Sequence, residues 1–413
     1  MKANAVLYAY RVKRVAIGVI FAISLSLTPS FAAIKAGSSC TKVGKISTSG
    51  GFEFKCVKQN QKLVWRKIGL AKPKLPSPTI SPIASPTPTP SATNYVPQTP
   101  VTTPTPLPIA ERTPTGFSDL VENYRGIPEV VWNEVQKLAA SGSEKTTFEI
   151  EIGPTTKLQA ELGSPLVYLQ RASRVWSNYL QPKNTKAFFY NFADLSWVQE
   201  KNRSLDGSWH KPEELAGNCK SPSDCNSFGG AFKGVGQLFI GLSSDVKSLW
   251  NLGFVRGNFA HEYTHTVQYT QLNAPANVKL PCWFAEGQPQ VVGQSLGFEN
   301  LNDYGKSRKS WVMQPPGNLG DYSPESILKF YEQTGAAGNG VCNQNVRSRV
   351  YDIGYFTVEA LSSIKGIQAS MDLVTSVGKG NSFESSFLAS YGITWKEAAP
   401  ILAKAVSRIY LES

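Results

Sequence analysis

Residues Phe259 to Gln290 read FAHEYTHTVQYTQLNAPANVKLPCWFAEGQPQ, and the rest of the chain is read outward from the run His261-Glu262-Tyr263-Thr264-His265 inside them. Positions four apart lie one turn above each other on a helix, so a helical reading lets both imidazoles face one point, with Glu262 beside them. The flanks agree with that reading. Val255, Phe259, Tyr263 and Val267 recur every four residues as an apolar stripe, and at ~100° per residue the histidines fall roughly opposite it. Such a helix packs on a core with one side and lines a cleft with the other.

Two converging imidazoles are two thirds of a metal site. Catalytic zinc takes three protein ligands and leaves a fourth position open, and two His with one Glu is a common set. The chain holds three histidines, and the third, His210, lies fifty-one residues upstream. The third ligand is therefore expected to be a carboxylate, and Glu286 in Trp283-Phe284-Ala285-Glu286-Gly287 is the best placed. A surface His pair on an amphipathic helix is the competing reading of His261 and His265, a solvated charge that of Glu262, and a helix-start carboxylate that of Glu286.

Three pieces in order carry a resemblance: His261-Glu262-x-x-His265, then Trp283-x-x-Glu286-Gly287, then Tyr351-Asp352-x-Gly354 in VYDIGYFTVEAL. Over about the last 190 residues the chain resembles the gluzincin metallopeptidases, in particular the catalytic region of M1-type aminopeptidases. The resemblance implies a zincin-like fold, Zn2+ held by His261, His265 and Glu286, Glu262 as general base, and Tyr351 steadying the oxyanion. It also implies a G-x-M-E-N strand ahead of the histidines, whose glutamate grips a free amine. The corresponding stretch here, Phe228 to Gly241 (FGGAFKGVGQLFIG), has no such glutamate, which argues against amino-terminal trimming. That stretch reads either as an edge strand accepting an extended substrate by backbone pairing or as an ordinary glycine-rich hairpin. His210 reads more readily as a loop histidine than as a second oxyanion donor. Gln290 stands where thermolysin-like relatives carry an aspartate that orients a ligand histidine, and Pro289 places a proline three residues after Glu286, where a helix tolerates it only in the first turn.

The chain start has the anatomy of a secretory signal peptide over 1–32: Lys2, Arg11, Lys13 and Arg14, an apolar run from Val15 to Leu27, then Ser30-Phe31-Ala32. Thirteen apolar residues fall short of the ~20 a spanning helix needs, so no stable membrane span is expected after cleavage. Residues 33–70 read as a small basic β module stapled by Cys40 and Cys56, too small to hold itself by core burial. Residues 71–115 form a Pro/Ser/Thr-rich linker whose composition favours disorder and extended polyproline conformations. Residues 116–413, long enough for a sizeable core, form the metallopeptidase-like domain. There Leu120 to Leu138 and Leu162 to Tyr179 have helical periodicity, Thr146 to Ile152 and Thr185 to Phe192 read as strands, and the second half is mainly helical. The fold class expected is α+β, with a small mixed sheet ahead of the metal helix.

Charge divides at the linker. Residues 1–115 carry fifteen Lys and Arg against two Asp and Glu, and the remainder twenty-seven against twenty-eight. The formal +12 of the chain therefore belongs to the module and linker, which suit acidic cell-envelope polymers, and nucleic acid is not expected as a partner. Six cysteines in an exported chain suggest disulfides over metal thiolates. Spacing favours Cys40–Cys56 and Cys219–Cys225, leaving Cys282 with Cys342.

Together these readings predict a secreted, cell-wall-associated zinc hydrolase acting on polypeptides internally. The competing classes are a non-catalytic envelope-binding protein that keeps a zincin fold, and a zinc hydrolase of non-peptide amides. Intact Glu262 favours an enzyme.

Overall fold

The computed structural model describes residues 38–49, 52–59, 62–70, 112–243, 249–335 and 347–412. The signal peptide expected at 1–32 and the linker up to residue 111 lie outside the described residues. Contacts divide the chain into two units, Met1–Thr102 and Thr103–Ser413. In the first, β1 (Ile46–Ser49), β2 (Phe52–Gln59) and β3 (Lys62–Leu70) form an antiparallel three-stranded sheet. Its core is Phe54, Cys56 and Trp65, and the Cys40–Cys56 disulfide is formed. Three buried side chains cannot carry a fold alone, so the cross-link supplies what burial cannot.

The second unit begins with α1 (Ile127–Ser141), β4 (Thr147–Ile152), α2 (Pro165–Val175) and β5 (Asn184–Tyr190). It continues through α3 (Leu195–Ser204), α4 (Pro212–Asn218), a short ribbon of β6 (Cys219–Ser221) and β7 (Asp224–Cys225), and the hairpin of β8 (Phe228–Phe232) and β9 (Val235–Gly241). The Cys219–Cys225 disulfide closes the ribbon. The main sheet has the order β4-β5-β9-β8, parallel except for β8, which pairs antiparallel at the edge. The run Ala187-Phe188-Phe189-Tyr190 is wholly buried, as expected for a strand covered on both faces. Phe189 packs edge-on against Phe259 at 5.2 Å, whereas Phe188 and Tyr190 join Phe239, Val198 and Leu215 on the opposite face.

Every described element after β9 is a helix. They are α5 (Leu249–Leu272), α6 (Ala276–Lys279), α7 (Cys282–Gly297), α8 (Leu301–Val312), α9 (Pro324–Thr334), α10 (Ile353–Gly378), α11 (Phe383–Tyr391) and α12 (Trp395–Glu412). The fold is mixed α+β, as the sequence predicts. The predicted stripe is in the core: Phe259, Tyr263 and Val267 are buried, and Val255 packs against the core. The opposite side of the helix lines a cleft, as expected, although His261 and Glu262 are themselves largely buried there. α5 is embedded, with β8 over one flank and α7 against another.

α7 is buried almost throughout, and it approaches its neighbours backbone to backbone. A Cβ added to Gly293 would lie 2.7 Å from the Gly257 carbonyl, and one on Gly297 2.2 Å from the Gly253 carbonyl. Glycine at four-residue spacing on both helices therefore lets α5 and α7 touch. A second such crossing joins α7 to α10, where a Cβ on Gly287 would lie 2.3 Å from the Gly354 carbonyl. Trp283 anchors the start of α7 by stacking on Trp395 at 4.9 Å. α10 is broken at Gly366 (φ 77°), and the Glu134 carboxylate accepts the Ile367 N–H exposed by the break, at 3.0 and 3.1 Å.

Candidate metal centre

The two helices joined at the glycine crossing supply three donors to one point. His261 Nε2 lies 3.1 Å from His265 Nε2, and Glu286 Oε2 lies 3.2 Å from His265 Nε2 and 3.6 Å from His261 Nε2. These three are a group of the size and chemistry that can hold a metal ion. Burial opposes charge on His265, yet the Glu286 carboxylate outweighs it and pushes the imidazole up to about 9. Burial likewise raises Glu286, and the two imidazoles outweigh it, holding the carboxyl well below the usual range. Each shift reflects the charge of the other group, imidazolium and carboxylate stabilising one another at 3.2 Å.

Glu262 is not among the three donors. It is buried beside them under β8, where the Gly229 backbone N–H bonds its carboxylate, and burial is the main cause of its raised pKa. The strand passes so close that a Cβ at position 229 would fall 1.9 Å from the Glu262 carbonyl, so glycine is required there. The stretch 228–241 is a glycine-rich hairpin whose first strand, β8, is the sheet edge. Tyr351 is half-buried, with its ring 6.3 Å from that of His261.

Glu262, Tyr351 and the three donors line one cleft of about 970 Å³. Aromatic rings of Trp209, Phe228, Phe254, Tyr269 and Trp311 form much of its remaining wall, with the side chains of Asn226, Ser227, Asn258 and Gln290 between them. Among the described residues lining it, the only carboxylates are Glu262 and Glu286, and there is no Lys or Arg. His210 is not part of this wall. It pairs with Glu214 through Nδ1 at 3.0 Å and stacks on Phe228 at 4.6 Å, the packing role of a loop histidine.

Compared with known proteins, the chain matches no family model, no curated protein sequence and no solved structure.

Sequence reasoning missed what holds the histidines. His265 Nδ1 lies 2.9 Å from Gln268 Oε1, one turn along the same helix, so the orienting partner comes from α5 itself. Gln290 lines a cavity of about 10 Å³ against His261 together with Asn258 and Gln294. Pro289 is not in a first turn: α7 begins at Cys282 and carries the proline in its interior. The proposed Cys282–Cys342 pairing lies outside the described residues, although Cys282 is disulfide-bonded.

Tyr351 is held at the start of α10 by its neighbour. Asp352 caps the helix, accepting the Ile353 N–H at 2.8 Å, and lies 2.8 Å from the Arg349 guanidinium. Burial pushes the Asp352 carboxyl from 3.8 up to about 6 despite Arg349. The folded state thus holds this proton to a higher pH than the unfolded chain, and the resulting stabilisation is complete below pH ~3.8 and lost as pH rises through about 6. Asp352→Asn keeps the cap but does not titrate. Between pH 3.5 and 7 the parent is expected to lose about 3 kcal/mol relative to this variant. Denaturant melts of both across that range check it, and a pH-independent difference rejects it.

Proposed function

We propose that this chain is an exported zinc peptidase of gluzincin type that hydrolyses internal peptide bonds. The observation that carries the reading is the convergence of His261, His265 and Glu286 on one point beside a separate buried carboxylate, Glu262, on the wall of a large cleft. Two disulfides support export, and among the described residues no helix is long and apolar enough to cross a membrane. Envelope attachment through the basic N-terminal module belongs to the same reading.

Zinc bound by the three donors would supply Lewis acidity toward a water molecule and the scissile carbonyl. Glu262 accepts the proton of the attacking water and delivers it to the departing amine, so that a C–O bond forms as the C–N bond breaks. The Tyr351 hydroxyl donates to the carbonyl oxygen as charge develops there. The Gly229 N–H holds the Glu262 carboxylate in place, and the edge strand β8 offers backbone groups to an extended chain.

The described cleft wall supports internal cleavage. A peptidase that trims termini needs a carboxylate for the free amine or a cation for the free carboxylate, and the described wall offers neither beyond the two glutamates already engaged. N-acetylated, C-amidated peptides with aromatic or aliphatic residues around the scissile bond are expected to be cleaved as well as their free-ended counterparts. Chelation of the metal removes the activity and added zinc restores it. Mass spectrometry of the products checks the cleavage position; activity confined to free amino termini rejects the internal reading, and activity indifferent to chelators rejects the zinc.

A further inference from the structure

We propose that Gln268 is the residue that fixes His265 as an Nε2 metal ligand, its amide held in one orientation by a carbonyl that Pro289 leaves free. This inference rests on the metal-ligand reading of His261, His265 and Glu286.

An amide oxygen only accepts hydrogen bonds, so the contact of Gln268 Oε1 with His265 Nδ1 at 2.9 Å requires the proton on Nδ1. In the neutral ring that a metal ligand requires, the lone pair is then on Nε2, which faces His261 and Glu286. The same function falls to carboxylates or backbone carbonyls at many metal sites. An amide adds a difficulty that a carboxylate lacks: turned over, it would present N–H groups to Nδ1 and favour the wrong tautomer.

The structure removes that ambiguity. Proline at position 289 has no N–H, so the carbonyl four residues earlier, Ala285 O, lacks its helical donor. Gln268 Nε2 donates to that carbonyl at 3.1 Å and to Gln288 Oε1 at 2.8 Å. Both amide hydrogens are thereby engaged, and the oxygen is left for His265. Gln288 is fixed in turn, donating through Nε2 to Ser370 Oγ, and Ser370 Oγ donates to Ile367 O at 2.5 Å. All three side chains are fully buried, where an unmatched amide is costly. The proline inside α7, anomalous for the helix, thus supplies the acceptor that orients Gln268, one residue before the ligand Glu286.

The test is zinc binding by the full chain, titrated against a competing chelator dye, together with the ring ¹⁵N–¹H spectrum of its three histidines. Gln268→Leu removes the acceptor: zinc affinity is expected to fall 10- to 100-fold, and the slowly exchanging Nδ1–H of His265 to disappear. Gln268→Glu keeps an acceptor of the same length. It is expected to retain that Nδ1–H signal and to bind zinc at least tenfold more tightly than Gln268→Leu, while melting at a lower temperature because its carboxylate faces Ala285 O and Gln288 Oε1. If Gln268→Leu binds zinc as the parent does with its Nδ1–H intact, the inference is wrong. It is equally wrong if the Glu variant loses as much affinity as the Leu variant, since the role would then be packing. Should Gln268→Leu fail to fold, the Glu variant alone decides, by whether the Nδ1–H signal persists. A parent chain that binds no zinc overturns the ligand reading itself and, with it, this inference.

Discussion

Glu262→Gln abolishes hydrolysis while zinc content stays at the parent level; this is the largest expected effect on activity. The carboxylate lies outside the three-donor group, so removing its charge leaves the ligands intact. Glutamine has the same length, fits the same buried space under β8, and keeps an oxygen to accept the Gly229 N–H. It cannot take a proton from water. Loss of general-base catalysis typically costs ~10²- to 10⁴-fold in kcat, with KM little changed because the cleft wall is untouched. Metal analysis and steady-state kinetics on capped peptides measure the two quantities separately. Activity within tenfold of the parent assigns the proton transfer to another group, and loss of zinc along with activity makes Glu262 part of the metal site.

The second large effect is on assembly of the site. Gly293→Val is expected to cost about 3 kcal/mol or more and to weaken zinc binding at least tenfold. A Cβ there would stand 2.7 Å from the Gly257 carbonyl and 3.1 Å from the His261 Cβ. Backbone cannot yield as a flexible side chain does, so α5 and α7 must separate, beyond the usual ~1–3 kcal/mol of overpacking. Separation carries Glu286 away from the histidines, which is why stability and metal affinity fall together. Gly305, on the exposed side of α8, is the control: an added Cβ meets nothing within 4 Å, and Gly305→Ala is expected to stabilise by up to ~1 kcal/mol. Thermal melts and zinc titrations of both variants check the contrast. Equal behaviour of the two would mean that the glycine crossing does not set the geometry.

Much of the site was legible because its residues obey short-range rules. Four-residue spacing puts His261 and His265 on one face of any helix, whatever surrounds it, and the stripe of Phe259, Tyr263 and Val267 marked the helix as one that packs. The cysteine pairs at short separation were readable for the same reason: a sequence separation of sixteen for Cys40 and Cys56, and of six for Cys219 and Cys225, leaves few alternatives. The expectation that α5 packs on a core with one side and lines a cleft with the other is met, but an amphipathic period describes only what must be buried. It does not forbid burying more, and here glycine at 229, 257 and 293 lets neighbouring backbones close over the helix.

The sequence by itself determined the α+β class, the helix that carries His261 and His265 and the residue types beside it, since each follows from composition or from spacing within one element. Which groups serve those residues was decided only by tertiary structure. Gln268 reads as an ordinary glutamine in the last turns of a helix, and Pro289 as a helix breaker in the wrong place. Their significance lies in a hydrogen bond from one to the carbonyl the other leaves free, across two helices that meet because glycine faces glycine. Hydrogen-bond direction and backbone contact are properties of pairs of elements, and no pattern along a single strand of residues contains them.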